Sequence, residues 1–94
     1  NNTIHYAGSK AALESLTHGL SRIGAKSNIL VNTIRPGIIE TDMQRTRKDL
    51  EKRKEMIPLK RLGKLDEISS MVLYLISDRA DFITGQTITI SGGE

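Results

Sequence analysis

Cysteine is missing from these 94 residues, aromatic residues are scarce and long apolar runs are absent. Without cysteine there is no disulfide framework and no thiolate metal site, and His5 and His18 have no ligand cluster around them, so no metal centre is expected. Tyr6, Tyr74 and Phe82 are the whole aromatic content; three rings supply neither a base-stacking platform nor an aromatic core. No apolar stretch reaches the roughly 18 residues of a membrane span, and no basic-then-apolar leader opens the chain. These absences point to a cytoplasmic protein with neither membrane nor nucleic acid among its partners.

What is present is aliphatic and charged: 37% hydrophobic and 27% charged residues, the balance of an ordinary globular chain. The net charge of +3 owes much to Arg45-Thr46-Arg47-Lys48-Asp49-Leu50-Glu51-Lys52-Arg53-Lys54. Mixed signs at helical spacing, such as Asp49 to Arg53, read as a solvated helix face. A non-catalytic basic interaction module is the competing interpretation of the same segment.

Leu13, Leu16, Leu20 and Ile23 recur at steps of three and four, which predicts a helix from Tyr6 to about Ala25 with those residues as its buried stripe. Gly8, Ala12, Ser15 and Gly19 form a flank of small residues suited to a second helix, from a neighbouring subunit or from the same chain. Residues 29–34 are β-branched and apolar on both faces, the pattern of a parallel strand covered on both sides, ended by Arg35-Pro36-Gly37. A polar helix from Met43 to about Met56 is expected next, with the span to Lys64 mobile. Asp66 and Glu67 open a third helix whose buried stripe is Ile68, Val72, Leu75 and Ile76. A last strand runs from Gln86 to Ile90, closed by Ser91-Gly92-Gly93. The order helix-strand-helix-strand is α/β, and two parallel strands cannot complete a covered sheet, so the chain reads as one part of a larger domain.

Tyr6 and Lys10 carry the candidate chemistry. Four residues advance a helix by roughly 400°, which places the two side chains about 40° apart, one turn from each other. They should emerge where the helix meets the core. An ordinary tyrosine titrates near 10; an adjacent cation favours the phenolate and suits the phenol to proton transfer beside a hydride transfer. Tyr and Lys at this spacing are common, so the pair alone is a weak signal. Asn32, inside the predicted strand, is read as satisfying neighbouring backbone groups, and His5 as a cap or surface residue, while His18 faces away from Tyr6.

The pair lies in an ordered series: Tyr6-Ala7-Gly8-Ser9-Lys10, then Val31-Asn32-Thr33-Ile34-Arg35-Pro36-Gly37-Ile38-Ile39-Glu40-Thr41, then Ile83-Thr84-Gly85-Gln86, then Ser91-Gly92-Gly93. Across essentially all 94 residues this series resembles the short-chain dehydrogenase/reductases. The resemblance implies the C-terminal, catalytic-side part (residues 1–94) of a single domain with a Rossmann-like, doubly wound parallel sheet. It implies Tyr6 as catalytic acid/base, and Lys10 as the residue that binds the nicotinamide ribose and tunes the tyrosine. Pro36, Gly37 and Ile38 would line the nicotinamide, Ile39 would offer backbone groups to its carboxamide, and Thr41 would reach the carboxamide or a phosphate.

Residues 36–43 with Ile57-Pro58-Leu59 and Arg61-Leu62-Gly63 look most like the bacterial 3-oxoacyl-[acyl-carrier-protein] reductases of fatty-acid synthesis. That subfamily implies NADP(H) in preference to NAD(H), a small-molecule or carrier-bound carbonyl substrate and a homotetramer. Lys26, Arg45, Arg47 and Lys48 would then meet an acidic carrier protein. A related alcohol, sugar or steroid dehydrogenase shares much of the pattern. Ser91 stands where the family often has an acid, and Gly8 where Ala or Ser is commoner. The family's glycine-rich dinucleotide loop, active-site asparagine and substrate-orienting serine would all precede Asn1, so the 94 residues alone are expected to bind no cofactor tightly and to reduce nothing.

Overall fold

The computed structural model describes residues 2–41 and 48–94, with side chains from Ile4 onward. Helix α1 spans Asn2–Ala25. It stops because the chain reverses at Asn28, which takes a left-handed φ of 60°, a conformation asparagine tolerates better than most residues. The N–H groups of Ser27 and Ile29 then both bond to the Gly24 carbonyl, each at 2.9 Å.

Strand β1 spans Thr33–Pro36 and strand β2 Thr87–Ile90. They pair in parallel, with Thr33 opposite Thr87 and Pro36 opposite Ile90. The first strand was expected to start at Ile29, but the ladder begins four residues later. Before it, side chains share the work with one backbone bond: the Gly85 N–H donates to the Val31 carbonyl at 2.7 Å, the Val31 N–H donates to Thr84 Oγ1 at 3.0 Å, Asn32 Nδ2 donates to the Ile83 carbonyl at 3.0 Å, and the Gln86 N–H donates to Asn32 Oδ1 at 3.1 Å. Asn32 therefore satisfies backbone groups, as its position in the sequence suggested.

Helix α2 covers Leu50–Met56, within the expected 43–56; residues 43–47 of that expectation lie outside the described residues. The Arg53 guanidinium pairs with Glu94 at 3.2 Å, and its backbone N–H donates to the Asp49 carbonyl at 3.0 Å. The following span is anchored, contrary to the expected mobility. Ile57 and Leu62 are buried, the Leu59 N–H donates to the Gly92 carbonyl at 3.1 Å, and the Gly63 N–H donates to the Ile38 carbonyl at 2.9 Å. Apolar burial and two hydrogen bonds to residues distant in sequence fix a segment that its charge made look free.

Helix α3 spans Leu65–Leu75, with Asp66 and Glu67 in its first turn as predicted. Glu67 accepts the Lys64 N–H at 2.9 Å and takes a two-point bond from the Arg61 guanidinium at 2.8 and 2.9 Å. A short 3-10 turn, Asp78–Ala80, buries Ala80 and leads toward β2.

The largest correction concerns which face of α1 is covered. Leu16 and Ile23 are 57% and 70% exposed, and Leu13 and Leu20 are exposed as well. The face turned inward is polar: Lys10 and Glu14 are half-buried, Thr17 and Ser21 buried. Steps of four, three and four make these one helical stripe. Thr33 and Arg35 alternate with Ile34 along β1 and so project to one side of the sheet; their hydroxyl and guanidinium select the polar stripe. Thr17 Oγ1 bonds to Thr33 Oγ1 and to the Leu13 carbonyl, and Arg35 pairs with Glu14. A two-stranded sheet has no width left to cover the leucines. The same shortage leaves Val72 and Ile76 of the expected α3 stripe exposed, Ile76 at 75%. Beside Gly8 and Gly19 nothing stands within 4 Å of where a Cβ would lie, so among the described residues no second helix of this chain packs on the small-residue flank there.

Candidate active site

α1 and β1 meet antiparallel, with Thr17 beside Thr33 and Glu14 beside Arg35. Continuing up the helix brings Lys10 and then Tyr6 to the carboxyl end of β1, where the Pro-Gly loop departs. In open α/β sheets ligands bind outside the carboxyl ends of the strands.

Lys10 Nζ lies 5.3 Å from the centroid of the Tyr6 ring, within the range of a cation–π contact. The two residues line a recess of ≈ 360 Å³ together with Ala7, Ala11, Glu14 and Arg35. Lys10 is half-buried, but Tyr6 is 65% exposed, more open than the expected position at the edge of the core. The recess has one wall on α1 and one on β1. Such a site offers a phenolic O–H and an ammonium to a ligand, the donors that a carbonyl oxygen and a ribose diol accept. The nicotinamide end of a dinucleotide fits this donor set.

Gly37 follows β1 directly. Its N–H donates to the Ile90 carbonyl at 2.8 Å, and a Cβ there would fall 2.8 Å from Ser91 Cα. Only glycine allows so close an approach of two backbones. Beyond it, the Glu40 N–H donates to the Gly63 carbonyl at 2.7 Å and Ile39 bridges to Gly63. The loop is thus clamped between residues 61–63 and 90–93. Ile38 lines a separate recess of ≈ 460 Å³ with Leu59, Arg61, Glu67 and Ser91, and Thr41 is half-buried.

The structure therefore brings Tyr6 and Lys10 together and sets them beside Arg35, the residue before Pro36. It does not bring Ile38 into their recess. Glu14 and Arg35 were not singled out from the sequence as lining this site. The signal was available: Tyr6, Lys10, Glu14, Thr17 and Ser21 repeat at helical spacing, and a polar stripe that long on a helix with an apolar stripe beside it marks a second contact face.

A family model described as "Enoyl-(Acyl carrier protein) reductase" matches residues 1–94. The chain is 41% identical over 92 residues to 3-oxoacyl-[acyl-carrier-protein] reductase FabG of Aquifex aeolicus, covering 96% of this chain and 37% of the relative. It is 40% identical over 97 residues to L-xylulose reductase of Caenorhabditis elegans, covering 99% and 38%. Thus it spans under two-fifths of the length of these relatives. A short-chain dehydrogenase/reductase of Serratia marcescens superposes with a TM-score of 0.87 at 37% identity, over 94% of this chain and 36% of the other. A 4-hydroxyisoleucine dehydrogenase complexed with NADH gives 0.83 at 39% identity, over 94% and 38%. A blue fluorescent protein from a metagenomic library, in complex with NADPH, gives 0.87 at 31% identity, over 94% and 36%. The family match over residues 1–94, the identities and the superpositions agree: the chain belongs to the short-chain dehydrogenase/reductase family, whose members are NAD(P)-dependent oxidoreductases.

Proposed function

We propose that this chain is the C-terminal, catalytic-side part of a cytoplasmic carbonyl reductase that uses NADPH in preference to NADH and acts on 3-oxoacyl thioesters. The observation that carries the proposal is the Lys10 ammonium over the Tyr6 ring at the carboxyl end of β1. The cofactor, when bound, supplies the hydride. Tyr6 donates its phenolic proton to the substrate oxygen as that oxygen gains charge, and Lys10 holds the ribose hydroxyls while its charge favours the phenolate left behind. Pro36 and Gly37 line the nicotinamide, Ile39 presents backbone groups to the carboxamide, and Thr41 reaches the carboxamide or a phosphate, while Ile38 would reach the ring from the neighbouring recess that it lines. The exposed apolar faces of α1 and α3 suit the missing sheet and a homotetramer. Lys26 and the basic residues Arg45, Arg47 and Lys48 suit an acidic carrier protein; Arg45 and Arg47 lie outside the described residues.

The near-equal identity to L-xylulose reductase favours a second reading, reduction of a small sugar or alcohol-forming ketone. NADPH and NADH oxidation by the full-length protein, with acetoacetyl-CoA and with L-xylulose as substrates, separates the two. The first reading expects NADPH turnover with the thioester. Tyr6→Phe should lower kcat by about 100-fold or more; unchanged turnover removes Tyr6 from its role.

A further inference from the structure

Lys10 has two possible partners on its own helix, each one turn away. Tyr6 precedes it by four residues and Glu14 follows it by four. Pairs at this spacing face each other, and for an ammonium a carboxylate is the stronger attraction, because it offers a full charge where an aromatic face offers a quadrupole. Nevertheless Lys10 Nζ stands over Tyr6, and Glu14 pairs with Arg35.

The tertiary structure imposes that choice. Arg35 lies in β1 opposite Thr89, and its strand is fixed from both sides, by the Thr17–Thr33 bond and by the Gly37 N–H on the Ile90 carbonyl. A guanidinium presents a planar fork that matches a carboxylate better than an ammonium does. Lys10, Glu14 and Arg35 are the charged side chains lining the recess with Tyr6. α1 supplies Lys10 and Glu14, and β1 supplies Arg35.

We infer that Arg35 is a positioning residue: by engaging Glu14 it keeps the Lys10 ammonium on Tyr6 instead of on the carboxylate one turn away. The inference rests on the proposed roles of Tyr6 and Lys10. Its consequence is asymmetric. Losing Arg35 frees Glu14 to capture Lys10, whereas losing Glu14 leaves Lys10 without a competing partner.

The test uses the full-length protein reducing acetoacetyl-CoA with NADPH, with kcat and the cofactor KM read separately. Arg35→Gln should lower kcat roughly tenfold and raise the cofactor KM. Glu14→Gln alone should do less harm than Arg35→Gln. Adding Glu14→Gln to Arg35→Gln should bring kcat and the cofactor KM back to the values of Glu14→Gln alone. A tie that merely holds helix to strand predicts the opposite pattern: equal harm from either substitution and no recovery in the double variant, which overturns the inference.

If Arg35→Gln does not fold in urea denaturation, Arg35→Lys carries the test, since its ammonium holds Glu14 less firmly. The losses in kcat and cofactor KM should then be smaller, and Glu14→Gln should cancel them. No loss, or a loss that persists, overturns the inference equally. Tyr6→Phe run in parallel separates the two levels. Turnover by Tyr6→Phe removes the proposed site, while an inactive Tyr6→Phe beside an unimpaired Arg35 variant removes only the role given to Arg35.

Discussion

At Gly37, where β1 gives way to the Pro-Gly loop, a single hydrogen atom stands where any other residue would place a carbon against the Ser91 backbone. Backbone cannot step aside as a flexible side chain can. Gly37→Ala should therefore cost about 1–3 kcal/mol of stability by overpacking, measurable by urea denaturation. Because the same shift displaces the loop proposed to line the nicotinamide, cofactor KM should rise with it. Gly85 is constrained similarly, with φ at +73° and Ser21 Oγ 2.7 Å from where its Cβ would be. Both glycines were visible in the sequence as punctuation. What each one touches was not, since Ser91 is 54 residues from Gly37 and Ser21 is 64 from Gly85.

At the scale of elements, two polar ties orient the helices. The buried Thr17 hydroxyl joins α1 to Thr33, and Thr17→Val, which keeps the shape, should destabilise by about 1–2 kcal/mol because the Thr33 hydroxyl then loses its partner. Urea denaturation of that variant checks the figure. At the start of α3, the Arg61 guanidinium, and after it the Lys64 N–H, hold the Glu67 carboxyl down at about 2 from its ordinary 4.5. A lowered folded-state value means the unfolded state binds the extra proton first as pH falls. The contribution is thus complete above about 4.5 and disappears as pH drops through about 2. Glu67→Gln should flatten the stability-versus-pH curve across that window, with little change in its shape near neutrality. The acidic opening of α3 was legible because helix dipoles favour carboxylates at that end; the Arg61 partnership depends on how the preceding turn folds back.

For the whole molecule, the decisive feature is how little of its apolar surface is covered. Among the described residues the buried hydrophobic ones are Ile57, Leu62 and Ala80, while Leu16, Ile23, Leu73, Ile76 and Phe82 stand open. Large apolar side chains left open to water in this number favour association. The isolated 94-residue chain should self-associate at micromolar concentration in sedimentation velocity, and Leu16→Lys with Ile23→Lys should reduce that association. It should also show no saturable NADPH binding, measured by cofactor fluorescence. A monodisperse monomer that binds NADPH tightly would contradict both this expectation and the assignment of the chain as one part of a larger domain.

The sequence by itself determined the order of elements, the parallel relation of the strands and the pairing of Tyr6 with Lys10, because helical and strand periodicities and an i, i+4 spacing are local properties. It also determined the family, because four motifs in a fixed order specify more than any one of them. Tertiary structure decided which stripe of α1 faces the strand: periodicity marks a face as apolar, but Thr33 and Arg35, brought alongside by the turn at Asn28, select the polar one. It also decided Lys10's orientation, since a local preference for Glu14 yields only when Arg35 arrives from another element. Contacts between residues distant in the chain obey no spacing rule, and the environment of Tyr6 and Lys10 is made of such contacts.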